Sequence, residues 1–194
     1  PYKFACQYLL NPLIEELGGF SEEMIKKAML PLSTISPMFT DKQLDGTAQW
    51  RLASVYITWD LAGTDGEYSD YSVGAVGLFD RLGRLFVVDM AVGRFSSYEL
   101  INEMLTLAMT WKTCLGKVGI EKAAGAEYLL PGLNNLMMAT NFYFDIDWIK
   151  IGPKKTKPAR IMALVPLLKQ GKLYFNKDMK HIDMLVKQFS RYRP

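Results

Sequence analysis

The chain contains a single histidine and two cysteines among its 194 residues, and this scarcity excludes several kinds of site. Cys6 and Cys114 lie far apart in apolar surroundings, without metal-ligand spacing, and are interpreted as free thiols of a reducing compartment. No apolar run approaches the roughly 20 residues that a membrane-spanning helix needs. The phosphate-binding pattern G-x-x-x-x-G-K-[ST] is also absent, so we do not expect the chain to be an ATPase.

The charge is nearly balanced overall but not along the chain. The 23 lysine and arginine residues exceed the 20 acidic residues only slightly, which gives a net charge of +3. From Lys150 onward, however, cations outnumber acids in the segments IKIGPKKTKPAR, LLKQGK, NKDMKH and KQFSRYRP. A phosphate backbone is the partner that this distribution favours, because Lys and Arg side chains replace its counterions.

The first fifty residues differ in composition from the rest. They contain two short helical segments with Ser21 as a candidate N-cap, NPLIEELGGFSEEMIKKAML, and then a stretch with linker proportions of Pro, Ser, Thr and Gly, LPLSTISPMFTDKQLDGTAQW. We interpret residues 1–50 as a connecting segment that packs on the domain formed by residues 51–194.

Three strands at hairpin spacing open that domain. β-Branched and aromatic residues are concentrated in three runs, and a DRLG sequence at Asp80–Gly83 predicts a turn between the second and the third. The predicted strands are Ala53–Asp60, Ser72–Phe79 and Arg84–Val92. We expect them to be consecutive and antiparallel.

Helical and strand patterns alternate after the third strand. Apolar residues recur at helical spacing over Ser97–Leu115, with Ser96 or Ser97 as a cap and Gly116 as a stop. A crossover helix there makes the next strand parallel to its neighbour. The later elements are a strand at Val118–Glu121, a helix at Ala126–Ala139, a strand at Trp148–Ile151, a basic amphipathic helix at Lys157–Lys169, a short strand at LYF and a helix at Ile182–Phe189.

This order of elements predicts an α/β fold. Three antiparallel strands followed by helix, strand, helix and strand is the ribonuclease H topology, in which a mixed sheet is flanked by helices. The sheet then brings the far ends of the first strand and of the Val118–Glu121 strand to the same edge.

Acidic residues end both of those strands. Asp60 follows VYITW and Glu121 follows KVGI. Hydrolysis of a phosphodiester needs an activated water and a neutralised leaving oxygen, and two Mg²⁺ or Mn²⁺ ions roughly 4 Å apart supply both. Because these hard cations prefer carboxylate oxygens, we predict that Asp60 bridges two ions and that Glu121 binds one of them. The alternative for each residue is a strand-end acid that faces solvent.

Four segments, in order along the chain, also carry a family resemblance. They are VYITWDLAGTDGEYSDYSVGAVGLFDRLGRLFVVDM, IEKAAGAEYLLPGL, KTKPARIMALVPLLKQGKLYF and HIDMLVKQFSRY, and they are preceded by FACQYLLNP. Together they resemble the nuclease domain of the large terminase subunit of tailed bacteriophages. The opening segment is similar to the one that leaves the ATPase domain in that family.

The resemblance implies a function and a set of residues. It implies a metal-dependent endonuclease of a viral DNA-packaging motor, active in the host cytoplasm, that cuts concatemeric double-stranded DNA with two divalent ions. Asp60 and Glu121 fall on the first two catalytic acids, and Asp70 falls on a position that is often acidic near the metals. Lys157 and Arg160 fall on a K-x-x-R-I pattern. The implied partners are the ATPase domain of the same protein, the small terminase subunit and the portal, with no membrane.

A basic cluster adjoins that pattern. Lys154 and Lys155 precede Lys157 and Arg160 within one loop and the start of one helix, close enough to follow a single phosphate strand. We predict that these four residues bind DNA. The alternative is an ordinary solvated loop.

Two features depart from the family and keep rival interpretations open. The third catalytic acid of the family is expected in a segment beyond Pro194, and without an ATPase loop the chain would not translocate DNA alone. The rivals are another ribonuclease H-like nuclease, such as a Holliday-junction resolvase or a transposase core, and a non-catalytic module that docks on DNA or on the portal.

Overall fold

Seven strands form one mixed sheet in the computed structural model, which describes residues 19–42, 48–49, 54–62, 70–121, 126–150, 152 and 156–192. The strands of this sheet are β1 (Met29–Leu30), β4 (Ser54–Asp60), β5 (Ser72–Phe79), β6 (Leu85–Gly93), β7 (Leu115–Glu121), β8 (Ile146–Ile149) and β9 (Leu173–Asn176). A separate ladder pairs β2 (Asp41–Lys42) with β3 (Ala48–Gln49).

The order across the sheet is β1-β9-β6-β5-β4-β7-β8. The central strands β4, β5 and β6 are antiparallel, as predicted, and every other pair of neighbours is parallel. The predicted turn between β5 and β6 is confirmed, because the Gly83 amide donates to the Asp80 carbonyl at 3.1 Å. Gly83 adopts a φ of 71°, a conformation that favours glycine.

Helices connect and cover these strands. They are α1 (Glu22–Ala28), α2 (Leu32–Ile35), α3 (Ser97–Thr110), α4 (Leu130–Thr140), α5 (Lys157–Met162), α6 (Leu164–Lys169) and α7 (Ile182–Arg191), with 3-10 turns at Ser36–Met38 and Ala126–Leu129. The crossover helix α3 begins at a capping box, in which the Ser96 hydroxyl accepts from the Glu99 amide and the Glu99 carboxylate accepts from the Ser96 amide. Ser21 caps α1 in the predicted way, by accepting from the Met24 amide.

Two apolar clusters lie on opposite faces of the sheet. Helices α3 and α4 pack on one face, where Val55, Ile57 and Trp59 of β4 are buried. Helices α1, α6 and α7 cover the other face over β6 and β9. The part of that second face formed by β4 exposes Tyr56, Thr58 and Asp60. The strand that carries Asp60 is therefore anchored in a core on one side and open to solvent on the other.

The structure corrects several predicted boundaries. The strand predicted at Val118–Glu121 begins at Leu115, and the helix predicted at Ala126–Ala139 is a 3-10 turn followed by α4. The helix predicted over Lys157–Lys169 is two helices that meet at Ala163, because Pro166 has no amide proton for the Met162 carbonyl. The strand predicted at Trp148–Ile151 begins earlier, at Ile146, which pairs with Val118 and packs on the core.

Gly116 is not a helix stop. Helix α3 ends at Thr110, and its C-cap Trp111 is buried with its indole N–H donated to Asp89 at 3.3 Å. Gly116 lies within β7, where an added Cβ would come within 3.2 Å of the Val55 carbonyl oxygen.

The chain before residue 51 contributes to the sheet. Met29 and Leu30 form β1, which pairs with Phe175 and Asn176 of β9 at the edge of the sheet. The Leu32 amide also donates to the Asp178 carboxylate at 2.8 Å. The division of the chain at residue 50 stays a prediction.

Candidate active site

The two predicted catalytic acids lie side by side at the C-terminal ends of two neighbouring parallel strands. In the parallel pair of β4 and β7, Trp59 is opposite Ile120, and the next residues along the two strands are Asp60 and Glu121. Paired residues of neighbouring strands point to the same face, and neighbouring strands are about 4.8 Å apart. The two carboxylates therefore lie on the same face of the sheet and at the same end of its strands.

Asp60 is held by a rigid strand end. Side chains of β4 alternate between the core and solvent, so Trp59 is 1% exposed while Asp60 faces outward. The Trp59 ring packs directly over Gly74 of β5, where an added Cβ would lie 2.6 Å from it. Just beyond Asp60, the Ala62 amide donates to the Ser72 hydroxyl at 3.0 Å. These contacts fix the backbone on both sides of the carboxylate.

Asp60 and Glu121 line one cavity of about 600 Å³. Asp70 and Lys157, two more of the predicted site residues, line the same cavity. The remaining lining residues come from β4, β5, β8, α7 and the segments that follow β4 or precede β5; they are Thr58, Trp59, Leu61, Ala62, Tyr71, Val73, Ala75, Ile149 and Gln188. Four of the seven predicted site residues therefore line this cavity.

Arg160 lies against Glu121. Its Nη1 atom is 3.4 Å from Glu121 Oε2, and both side chains are about one-third exposed, at 38% and 31%. Arg160 Nε is buried without a hydrogen-bond partner among the described residues. An ion pair this exposed contributes little to stability, so the guanidinium is not locked in place. Its predicted role as a DNA contact stays a prediction.

The other predicted cations divide into two groups. Lys157 is the first residue of α5, directly after the N-cap Thr156, and is exposed at the cavity. Lys154 and Lys155 lie outside the described residues.

The donor set fits a hard divalent cation. Across the described residues, no three Asp, Glu, His or Cys side chains are grouped closely enough to hold one ion together. Asp60 and Glu121 nevertheless supply two adjacent carboxylates, and no bond to the Asp60 carboxylate is found in the part of the chain that is described. Mg²⁺ is commonly bound by one or two carboxylates and keeps several waters. The residues present are therefore suited to Mg²⁺ or Mn²⁺.

Tyr71 and Gln188 are two of the nine lining residues that the sequence does not predict. Tyr71 carries a weak signal, because it adjoins the predicted acid Asp70 at the start of β5. Gln188 carries none, since it reaches the cavity only through the packing of α7 against β5 and β6.

No helix within the described ranges is long and apolar enough to cross a membrane.

No family model and no curated protein matches the chain. Solved structures do match. The large terminase from a thermophilic bacteriophage aligns with a TM-score of 0.53 at 12% identity, over 89% of this chain and 36% of that one. The P22 large terminase nuclease domain aligns with a TM-score of 0.51 at 10% identity, over 90% of this chain and 77% of that one.

A third structure is a mutant nuclease domain of the large terminase subunit of bacterial virus Sf6, determined with manganese and beta-thujaplicinol. It aligns with a TM-score of 0.50 at 13% identity, over 88% of this chain and 79% of that one. These similarities confirm the predicted fold class and the predicted likeness to terminase nuclease domains at the level of the fold. The chain spans 36% of the length of the large terminase from the thermophilic phage.

Proposed function

We propose that this protein is a metal-dependent endonuclease that cuts double-stranded DNA. The observation that carries the proposal is the pair of carboxylates, Asp60 and Glu121, on the ends of adjacent parallel strands in a cavity that Lys157 also lines. Two acids and a cation in one open cavity suit a phosphodiester, because the acids attract metal ions and the cation attracts the phosphate.

Each residue has a distinct role in this proposal. Asp60, on the end of a central strand, would bridge two Mg²⁺ or Mn²⁺ ions, while Glu121 would hold one and Asp70, which lines the same cavity, would contribute a further carboxylate. When bound, the ions activate a water and neutralise charge on the leaving oxygen. Lys157 would bind a non-bridging phosphate oxygen, and Arg160 would donate to the phosphate once an ion replaces it at Glu121.

The fold supports a role in viral genome packaging. Terminase nuclease domains share it, so we propose that the protein cuts concatemeric viral DNA into genome units in the host cytoplasm. In this proposal residues 1–50 join residues 51–194 to an ATPase domain of the same protein, and the small terminase subunit and the portal are partners. Lys154 and Lys155 would extend the DNA contact made by Lys157.

One observation favours a second candidate, a non-catalytic module that docks on DNA. Arg160 is 3.4 Å from Glu121 and compensates the charge that a metal ion would otherwise meet. If that contact persists in the presence of Mn²⁺, the cavity binds a phosphate backbone without cutting it.

Cleavage of supercoiled plasmid separates the two candidates. The protein is incubated with plasmid in Mn²⁺, Mg²⁺, Ca²⁺ or EDTA, and binding to a labelled duplex is followed in parallel. Nicked and linear products in Mn²⁺ or Mg²⁺ alone are expected. Binding without cleavage under every condition would favour the docking module, and cleavage in EDTA would contradict the role of the metal.

A further inference from the structure

A second cation, Arg94, lies at the end of the strands where Asp60 and Glu121 are found, on the side of Asp60 away from Lys157. Arg94 directly follows β6, and Tyr71 directly precedes β5. The last pair of that ladder is Ser72 with Gly93, so Tyr71 and Arg94 are opposite each other one residue further out. This is the edge at which β4 and β7 end in Asp60 and Glu121.

Tyr71 and Arg94 share the face of the catalytic acids. Asp60 is paired with Val73, and Tyr71 lies two residues before Val73, on the same side of β5. The side chains bear this out, because Ser72 is 3% exposed whereas Tyr71 is 48% exposed and lines the cavity with the carboxylates.

The Tyr71 ring orients Arg94. The guanidinium carbon of Arg94 is 4.9 Å from the centre of the Tyr71 ring, a cation–π contact. A guanidinium stacked on a ring uses its flat face, and its N–H donors lie in its own plane, where they suit a phosphate. The exposed Arg94 side chain is thus oriented beside Tyr71, which lines the cavity.

The spacing matches a neighbouring phosphate of the same DNA strand. Arg94 extends β6, which is two strands away from β4, or about 10 Å at the usual strand separation. That is roughly three base steps at about 3.4 Å of axial rise each. Lys157 lies on the other side of Asp60, in the helix whose Arg160 contacts Glu121 of β7.

We propose that Arg94, oriented by Tyr71, binds a backbone phosphate two or three nucleotides from the one that is cut. Arg94 and Lys157 would then hold the DNA strand on both sides of the carboxylates. The inference rests on the proposed function, because it takes DNA as the ligand. It makes Arg94 a positioning residue and predicts no direct part in bond cleavage.

Arg81 offers a matched control. It is an exposed arginine in the turn at the opposite end of the same hairpin, about 25 Å away along strands of this length. Arg81→Gln and Arg94→Gln change net charge equally and keep a polar side chain of similar length. Arg94→Lys retains the charge but not the planar guanidinium, and Tyr71→Ala removes the ring on which that guanidinium stacks.

The test is fluorescence anisotropy of a labelled duplex across a salt series without divalent metal, with circular dichroism of each variant. Arg94→Gln should weaken binding about fivefold and lower the salt slope by about one ion, whereas Arg81→Gln should stay within about 1.5-fold of wild type. Arg94→Lys should recover most of the affinity, and Tyr71→Ala should lose about twofold. In cleavage assays Arg94→Gln should raise KM with little change in kcat.

The outcomes separate this inference from the proposed function. Equal affinity and equal salt slopes for Arg94→Gln and Arg81→Gln would overturn the inference alone. A specific loss for Arg94→Gln in a protein that binds but never cuts DNA would support the contact and overturn the nuclease. A wild-type protein that binds no duplex would overturn both.

Discussion

Two aspartates at opposite ends of the central strands differ in the hydrogen bonds that their carboxylates accept. Asp80, in the β5–β6 turn, accepts from the Leu82 amide at 2.9 Å, the Arg84 amide at 2.8 Å and Arg84 Nε at 2.6 Å. Asp60, at the other edge, accepts no bond from any residue in the described ranges. The first carboxylate is satisfied within the fold, whereas the second is exposed and lines the cavity.

The electrostatic setting of Asp80 agrees with its hydrogen bonds. Burial alone would raise the pKa of Asp80, but the hydrogen bonds and the charge of Arg84, together with the Leu82 amide, outweigh it and lower the pKa. We infer that Asp80 stabilises the hairpin and that Asp60 serves the site. A substitution of Asp60 should accordingly affect cleavage, and a substitution of Asp80 should affect stability.

Asp60→Asn should have the largest effect. It removes a charge that bridging ions require and keeps the shape of the side chain, so we expect cleavage to fall by about 10³-fold or more. Thermal stability should not change, because no bond is lost. Asp147→Asn is the control, since Asp147 is an exposed acid of β8 that pairs with Lys117, and this variant should cleave within about twofold of wild type. Plasmid nicking in Mn²⁺ measures cleavage, and thermal melts measure stability. Near-normal cutting by Asp60→Asn would show that Asp60 does not bind the metal ions needed for cleavage.

Gly74→Ala should have the next largest effect, on stability. Its Cβ would lie 2.6 Å from the buried Trp59 ring, and displacing that ring should cost about 2–3 kcal/mol of unfolding free energy. Since Trp59 precedes Asp60, cleavage should also fall. Gly152→Ala is the control, because nothing lies within 4 Å of its added Cβ. Urea denaturation measures both variants, and equal midpoints would show that Trp59 is not tightly packed.

Glu121→Gln should weaken metal binding without abolishing it. Loss of one carboxylate that holds one ion should raise the Mn²⁺ concentration needed for half-maximal cleavage by about tenfold. The exposed Glu103 on α3 provides the matched change, Glu103→Gln, which should leave the Mn²⁺ requirement as it is. Calorimetric titration with Mn²⁺ checks the same point directly; identical isotherms for wild type and Glu121→Gln would count against a metal role.

Asp80→Asn should have the smallest effect, and only on stability. The amide keeps its acceptor oxygen but loses the charge that pairs with Arg84, so we expect a loss of about 1 kcal/mol near pH 7. Because the folded-state pKa is lowered, this contribution is present above the unfolded value of 3.8 and disappears as the pH falls through the folded value. Urea melts over a pH series should show the difference in unfolding free energy between wild type and variant in full at pH 7 and shrinking progressively below pH 3.8, with cleavage intact at pH 7.

The sequence predicts the acids of this site because each follows a local pattern. Asp60 ends an apolar run whose alternation predicts a strand with one buried face, and Glu121 ends a similar run. The Asp80–Gly83 turn follows from its residue types. These features depend on neighbours in the chain, so one sequence is enough to find them.

The rest depends on contacts between distant segments. Arg160 meets Glu121 across 39 residues. Tyr71 meets Arg94 through a ladder whose register shifts between Val76 and Gly77, and no local pattern specifies that bulge. Pro166 indicates a helix break, but the amphipathic period around it favours one continuous helix.

Anomalous scattering from crystals soaked in Mn²⁺ tests the central claim most directly, because it locates the ion without reference to activity. The account predicts a manganese peak within bonding distance of both Asp60 and Glu121, with the Arg160 guanidinium withdrawn from Glu121, and no such peak in Asp60→Asn. Manganese bound elsewhere, or none at this edge of the sheet while Arg160 stays on Glu121, would contradict it.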